Sequence, residues 1–177
     1  MHLKKEGERM KQVMIVPYDS IWQHLYIGEK KRVLQKLKNI SGIHHIGSTA
    51  VPGMDARATI DIAVEVKRDI EALELAELGY YLICQEQRYK VYATKDHQFH
   101  LFVYNEADEE LLKRIKLRDY FRTFSSERDR YSTFKWELAR IYPFDFSSYK
   151  RARDIFLTVV EVKAMNWNEL SEIQKLG

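Results

Sequence analysis

The clearest pattern along the chain is the strict alternation of residues 59–66, which read TIDIAVEV. From Ile60 to Val66, every second residue is apolar, and these residues would share one face of a β-strand. Asp61 and Glu65 would point to the opposite face together with Ala63. The alternation therefore predicts a half-buried strand with a carboxylate inside it.

Other segments with strand or helix periodicity surround this strand. Pro17 ends an extended segment at about 13–19, after which Asp19 or Ser20 can cap a helix over about 21–37. The apolar stripe of that helix is predicted to contain Trp22, Leu25, Val33, Leu34 and Leu37.

The remaining elements of the first half are short. Strands are predicted at about 43–46, 80–83, 88–94 and 98–104. A helix is predicted at about 69–78, where Gly79 would end it.

From Asp108 onwards the period of the apolar residues becomes helical. Pro143 and the following FDFSS segment divide this part into three predicted helices, at about 108–124, 126–141 and 147–167. We predict an α+β (mixed α/β) fold with a mixed sheet and a C-terminal three-helix segment. The whole chain, 1–177, is expected to be one domain, with a sheet core at about 13–105 and a helical part at about 106–177.

Composition narrows the class of protein. Of 177 residues, 45% are hydrophobic, and the single cysteine, Cys84, offers neither an internal disulfide nor a structural zinc site. The chain contains no apolar run of the roughly 18 residues that a membrane span needs, and its charged start is unlike a signal peptide. A cytoplasmic protein with no membrane partner is expected; the sequence makes no prediction of oligomeric state.

The net charge of +3 is a mild positive excess. Strongly basic nucleic-acid-binding proteins usually carry a larger surplus on one face, so nucleic acid is not the favoured partner. The mild excess is compatible with binding of an anionic small molecule, such as a nucleotide, and equally with plain solubility. Composition alone does not decide between them.

The string HIGSTAVPG, residues 45–53, is the most informative motif. Gly47 would present backbone N–H groups without a side chain in the way, and Ser48 and Thr49 add hydroxyl donors, which together suit a phosphate. The alternative is a tight turn whose hydroxyls cap the next segment.

Asp61 strengthens the phosphate hypothesis, because a carboxylate in an apolar strand is costly to bury without a partner or a metal. Mg²⁺ takes oxygen ligands and needs only one or two carboxylates plus substrate phosphates. Glu65 would lie roughly 13 Å further along the strand and is expected to be solvated. The alternative for Asp61 is an ion pair with a cation of the helical part.

Each predicted C-terminal helix places a cation beside its apolar face: Arg118, Lys135 and Arg153. Three such residues indicate a shared anionic target, which is either Asp61 or a bound phosphate. An internal network of ion pairs is the alternative.

Histidines flank these motifs. Alternation sends His44 and His45 to opposite faces, and either could donate to a phosphate. His100 lies on a predicted strand, where a structural role is the alternative to ligand contact. No second ligand stands at a spacing typical of zinc.

The string HIGSTAVPG followed by IDI resembles the GrpB family, within the DNA polymerase β-type nucleotidyltransferase superfamily. PYDSIW near the start, His100–Leu101, and RDYFR at 118–122 extend the resemblance over most of the chain. It implies a nucleotidyltransferase-like fold, a catalytic and Mg²⁺-binding Asp61, and phosphate or nucleotide contacts from His45, Gly47, Ser48, Thr49, Arg57, His100, Arg118, Lys135 and Arg153.

The chain departs from the superfamily pattern at Ala63, where active nucleotidyltransferases carry a second acid. Arg57 and Arg153 stand where the family commonly has lysine, and His44 where it commonly has glutamate. The cationic substitutions keep the charge that an anion needs, whereas Ala63 argues against catalysis by two metals.

Three functions remain open from the sequence. The first is nucleotidyl or phosphoryl transfer with Mg²⁺ on Asp61. The second is a non-catalytic sensor of a nucleotide or anion. The third is a structural or adaptor domain in which the loop and the cations hold the fold together.

Overall fold

A five-stranded mixed sheet, followed by three long helices, forms the framework of the protein. The computed structural model describes residues 12–68, 70 and 72–167. The elements are α1 (Ile21–Lys36), β1 (Ile40–Ile46), a 3₁₀ turn (Ser48–Ala50), β2 (Ile60–Val66), α2 (Ala72–Glu77), β3 (Tyr80–Gln85), β4 (Tyr89–Thr94), β5 (Phe99–Asn105), α3 (Glu109–Thr123), α4 (Ser125–Ile141) and α5 (Phe146–Asn166).

The strands lie in the order β1-β2-β5-β4-β3. β2 runs parallel to β5, and every other neighbouring pair is antiparallel. This register sets Asp61 between Ile46 on β1 and His100 on β5. The predicted α+β fold with a mixed sheet is confirmed.

One face of the sheet packs beneath α1 and α2. Ile60, Ile62 and Val64 are each 0% exposed there, in one cluster with Trp22 and Leu75. Burying an aliphatic side chain of this size contributes about 1.5–3 kcal/mol, so the alternating residues of β2 anchor the fold. The predicted alternation of this strand is confirmed.

The opposite face of β2 is covered by the helical part. Ala63 is 0% exposed and packs with Ile46, Tyr104 and Leu111 of α3. The side chain of Asp108 caps α3 by accepting the backbone N–H of Glu110 at 2.8 Å. These contacts dock α3 onto the sheet directly beside the strand that carries Asp61.

The apolar stripe of α1 differs from the prediction at two positions. Leu34 is 40% exposed, because twelve residues after Trp22 the helix has turned about 120° away from the sheet. Glu29 occupies the buried face instead, where its Oε1 accepts the Tyr80 hydroxyl at 2.8 Å and an Arg32 N–H at 2.7 Å. The paired carboxylate was not anticipated because its partner comes from a distant strand.

The other predicted elements agree with the structure within about three residues. The extended segment near 13–19 forms a bridge from Val16 to Ala56, and the backbone N–H of Val13 donates to the Pro143 carbonyl. The start of the helix predicted at 69–78 and the charged N-terminal segment 1–11 lie outside the described residues. No described helix has both the length and the apolar character that crossing a bilayer requires.

Candidate functional site

The loop after β1 meets the carboxylate of β2 in close contact. Gly47 has φ 73°, a conformation that L side chains rarely adopt. A Cβ built at Gly47 would stand 2.6 Å from Asp61 Oδ2. A side chain here would strain the backbone and displace the Asp61 carboxylate. The predicted proximity of the loop to Asp61 is confirmed.

Thr49 holds the loop in place rather than leaving its hydroxyl free. That hydroxyl donates to the Thr59 carbonyl at 3.1 Å and lies 3.1 Å from His45 Nε2. His45 stacks on Tyr26 with ring centroids 4.6 Å apart. Burial, opposed by the charge of Asp61, lowers the pKa of His45 to about 4, so the ring is neutral at pH 7. His45 therefore supports the loop from behind, outside the pocket.

A small pocket opens between this loop and helices α4 and α5. Its cavity volume is ≈ 50 Å³. The lining combines hydroxyls, cations and one carboxylate: Ser48, Thr49, Ala56, Arg57, Thr59, Asp61, Tyr131, Lys135, Tyr149 and Arg153. Five residues predicted to form the site, together with Asp61, meet here from three separate parts of the chain.

Asp61 forms a wall of the pocket, with 29% of its side chain exposed. Its Oδ1 lies 3.5 Å from His100 Nδ1, on the neighbouring strand. Across the described part of the chain, no lysine or arginine nitrogen lies within 4.0 Å of its carboxylate. The alternative of an ion pair between Asp61 and a helix cation is therefore wrong.

His100 contacts Asp61 but does not line the pocket. Its Nε2 is buried without a hydrogen-bond partner in the described structure. The side chain stands beside Asp61 because the parallel register of β2 and β5 aligns the two residues. Its contact with the carboxylate fits a positioning role.

Arg57 presents a guanidinium that the described residues leave without a hydrogen-bond acceptor. Its Cζ lies 4.7 Å from the centre of the Phe146 ring. Burial lowers the pKa of Arg57, and the negative charge of Asp61 opposes that shift. A half-buried cation with this surplus of donors is suited to an anion.

Lys135 and Arg153 line the same pocket from α4 and α5. Lys135 is 2% exposed; its ammonium donates to the Asp55 carbonyl and lies 4.5 Å from the centre of the Tyr131 ring. Burial, partly offset by Asp55, lowers its pKa to about 7. Arg153 donates to Asp154 at 2.7 Å. The predicted placement of these two cations beside Asp61 is confirmed, while their role in binding stays a prediction.

Arg118 lies away from the pocket, contrary to its predicted contact with a ligand. Its Nη1 donates to the His45 carbonyl at 3.0 Å and its Nε to Asp119 at 2.7 Å. Its target is the backbone that leads into the loop. Sequence spacing placed it on the inner side of α3 but did not reveal which acceptor it would meet.

Arg122 and Arg128 also donate hydrogen bonds to backbone carbonyl groups, further along the loop. Arg122 donates to the Ala50 carbonyl at 2.7 Å, and Arg128 to the Pro52 carbonyl at 3.2 Å. Together with Arg118 and Lys135, these cations hold carbonyl groups of residues 45–55. The helical part thus fixes the conformation of the loop that faces the pocket.

Glu65 and Ala63 define what the strand contributes beyond Asp61. Glu65 is not solvated as predicted: its Oε1 lies 2.8 Å from His44 Nε2, and its Oε2 accepts the Ala107 N–H at 3.2 Å. Ala63 lies in an apolar cluster under α3. Within the described ranges, no group of three or more His, Cys, Asp or Glu side chains is arranged to hold a metal ion.

The pocket is also lined by two tyrosines that were not predicted as site residues. Tyr131 and Tyr149 are 3% and 1% exposed, and burial raises the pKa of both hydroxyls. The Tyr131 hydroxyl lies beside that of Ser48. Helical spacing identified both residues as part of an apolar face. Each lies one helical turn before a predicted site cation, Lys135 or Arg153, and this spacing could have indicated that the tyrosines line the same site.

Comparison with known proteins shows the family of this chain. The model of the family described as GrpB protein matches residues 12–163, which include every element from α1 to α4 and most of α5. The chain belongs to the GrpB family. The predicted family membership is thereby confirmed, and the described fold is consistent with the nucleotidyltransferase superfamily.

GrpB-family relatives match at moderate identity. UPF0157 protein BH1888 of Halalkalibacterium halodurans is 30% identical over 136 residues, covering 72% of this chain and 70% of that protein. UPF0157 protein YqkA of Bacillus subtilis is 28% identical over 90% of this chain, which spans about half (49%) of YqkA. The crystal structure of conserved protein GrpB from Enterococcus faecalis shares the fold with a TM-score of 0.79 at 25% identity, over 85% of this chain and 96% of that one.

Proposed function

We propose that this GrpB-family protein binds the phosphoryl group of a nucleotide or another phosphorylated small molecule in the pocket between the loop and Asp61. The observation that carries the proposal is the Arg57 guanidinium, which lines the pocket and donates no hydrogen bond to a described residue. The nitrogens of this guanidinium are not among the buried side-chain atoms that lack a partner, so they are accessible, and an anionic ligand in the pocket would accept charge-assisted hydrogen bonds from them.

The other lining groups suit the same ligand. Arg153 adds a second guanidinium, and Lys135 adds an ammonium that is only partly protonated at pH 7 because burial lowers its pKa to about 7. Ser48 and the two tyrosines add hydroxyl donors at the same place. Hydrogen bonds between charged donors and phosphate oxygens contribute about 1.5–3 kcal/mol each, so a few of them suffice for binding.

Mg²⁺ would bind at this site only together with the ligand. Asp61 and Ser48 provide oxygen donors of the kind that Mg²⁺ takes, but they are too few to complete its octahedron without phosphate oxygens and water. The surrounding cations also disfavour a free divalent ion. Bound in this way, Mg²⁺ would neutralise phosphate charge next to Asp61.

Ala63 argues against nucleotidyl transfer by two metals but not against binding of a phosphorylated ligand. A second acid at this position would point into the apolar cluster under α3, where Ala63 is 0% exposed. Two-metal catalysis therefore has no support from this strand. We favour a binding or sensing function, with transfer by a single metal as the enzymatic alternative.

A structural or adaptor function is the competing proposal. It is favoured by the cations that hold carbonyl groups of residues 45–55, since those contacts need no ligand. A structural function assigns Arg57 only its contact with the Phe146 ring and gives its hydrogen-bond donors no acceptor among the described residues. This difference makes the two proposals separable by a binding experiment.

The test is a thermal-shift screen with matched pairs of compounds, with Mg²⁺ or with EDTA. AMP is compared with adenosine, and glycerol phosphate with glycerol. A ligand at a hundred times its Kd stabilises the protein by about 2.7 kcal/mol. Stabilisation by the phosphorylated member of a pair alone supports the proposal, whereas no response to any phosphorylated compound would leave the structural function.

A further inference from the structure

The pocket has dimensions that suit one phosphoryl group rather than a whole nucleotide. Its cavity volume is ≈ 50 Å³, whereas pockets for drug-sized ligands measure about 300–1,000 Å³. A single water needs about 10–15 Å³ by a comparable measure, so the cavity has room for a handful of non-hydrogen atoms. A phosphate with its four oxygens is of this size.

The aromatic residues of the pocket offer no ring face to a nucleobase. The ring of Tyr131 stacks against Phe121 at 5.2 Å and against Phe156 at 5.3 Å, and the ammonium of Lys135 lies over it. With 3% of Tyr131 exposed, its ring is not available for stacking, and its hydroxyl lies beside Ser48, another lining residue of the pocket. Base recognition by stacking normally requires an accessible ring.

The ring of Tyr149 is also covered by a neighbouring side chain. The centroids of the Tyr149 and Phe146 rings are 6.1 Å apart in a stacked arrangement, and the Arg57 guanidinium lies over the Phe146 ring. Ala56 is the aliphatic residue among the described lining groups. Cations and hydroxyls therefore account for nearly all of the recognition that this surface can provide.

From this geometry we infer that the site recognises a single terminal phosphoryl group, such as that of a phosphomonoester, and makes no selective contact with a base or with a second and third phosphate. The inference deepens the proposed function and rests on it. The rest of the ligand would lie outside the cavity. Discrimination among phosphomonoesters would then come from other surfaces or be weak.

The experiment is a calorimetric titration of the full chain with inorganic phosphate, glycerol phosphate, AMP and ATP, at one pH and one ionic strength. The inference predicts Kd values for the first three that agree within tenfold, and an ATP affinity no more than tenfold tighter than that of AMP. AMP binding more than tenfold tighter than inorganic phosphate, or ATP binding more than tenfold tighter than AMP, overturns the inference while the proposed function stands. Failure of all four compounds to bind overturns both.

A Tyr131→Phe variant provides an independent readout, since it keeps the stacked ring and removes the hydroxyl. Equal weakening of inorganic phosphate and AMP, by about fivefold or more, supports recognition of the phosphoryl group alone. Weakening of AMP without weakening of inorganic phosphate contradicts it. The melting temperature of the variant without ligand reports whether the fold is retained.

Discussion

Gly47 and Asp61 fit against one another so closely that no larger residue can replace the glycine without displacing the carboxylate. A Cβ at Gly47 would stand 2.6 Å from Asp61 Oδ2 and 3.4 Å from Asp61 Cβ. The loop and the strand thereby fix each other's position. This contact places the backbone of the loop at the mouth of the pocket.

Gly47→Ala is expected to destabilise the protein by about 1–3 kcal/mol, because it combines a positive φ with a steric clash. Gly28→Ala is the matched control. Gly28 lies within α1 with open space around it, so alanine should stabilise the helix by up to about 1 kcal/mol. Urea unfolding of both variants checks this; equal effects of the two substitutions would contradict the close fit.

Asp61→Asn is expected to change the free energy of unfolding by less than about 1 kcal/mol in the absence of ligand. The carboxylate has no lysine or arginine within 4.0 Å among the described residues, so its removal leaves no cation stranded. Breaking a buried ion pair would cost about 3–5 kcal/mol instead.

Asp55→Asn is the control for this substitution. Both oxygens of Asp55 accept hydrogen bonds, from the Tyr18 N–H at 3.1 Å and from the Trp136 Nε1–H at 2.8 Å. Replacing one acceptor with an NH₂ group should therefore destabilise by about 1–3 kcal/mol. A larger loss for Asp61→Asn than for Asp55→Asn would show that Asp61 has a structural partner.

Lys135 is expected to make stability depend on pH above neutrality. Its pKa is lowered to about 7 in the folded protein, against an ordinary value of 10.5. Between these values the unfolded chain binds the extra proton, so stability rises with pH at up to about 1.4 kcal/mol per unit. Lys135→Met should remove this component of the slope between pH 7.5 and 9.5. An unchanged slope in denaturation curves would show that the lysine is not buried in this way.

Arg122→Ala is expected to loosen the loop, since two N–H groups of Arg122 converge on the Ala50 carbonyl. A loss of about 1–2 kcal/mol in unfolding free energy is expected, with faster hydrogen exchange of the Ala50 and Val51 amides. Arg140→Ala, at an exposed position of α4, should stay within about 0.5 kcal/mol of the unsubstituted protein. Equal exchange rates of the Ala50 and Val51 amides in the two variants would show that Arg122 does not hold the loop in place.

Periodicity in the sequence was sufficient to predict most of the fold. The alternation from Ile60 to Val66 and the helical spacing around Lys135 and Arg153 both correspond to faces that the structure buries. The proximity of Gly47 to Asp61 also followed from a local argument, because Gly47 directly follows β1 and the next strand, β2, carries Asp61. Local patterns determined these features.

Long-range contacts were beyond prediction from the sequence. Arg118 was predicted to contact a ligand and Glu65 to be solvated, whereas each meets a partner from a segment that is distant in the chain. The same holds for Glu29, whose burial depends on Tyr80. Arg57 was named only through resemblance, and its unsatisfied guanidinium is visible only in three dimensions.

Direct titration with inorganic phosphate tests the central claim that Arg57 and its neighbours bind a phosphoryl group. Arg57→Gln removes the guanidinium that has no acceptor among the described residues, and Arg140→Gln removes an equal charge from the exposed face of α4. Calorimetry should show binding to the unsubstituted protein and to Arg140→Gln, with at least tenfold weaker binding to Arg57→Gln. Absence of binding to the unsubstituted protein, or equal affinity of all three proteins, would contradict the account.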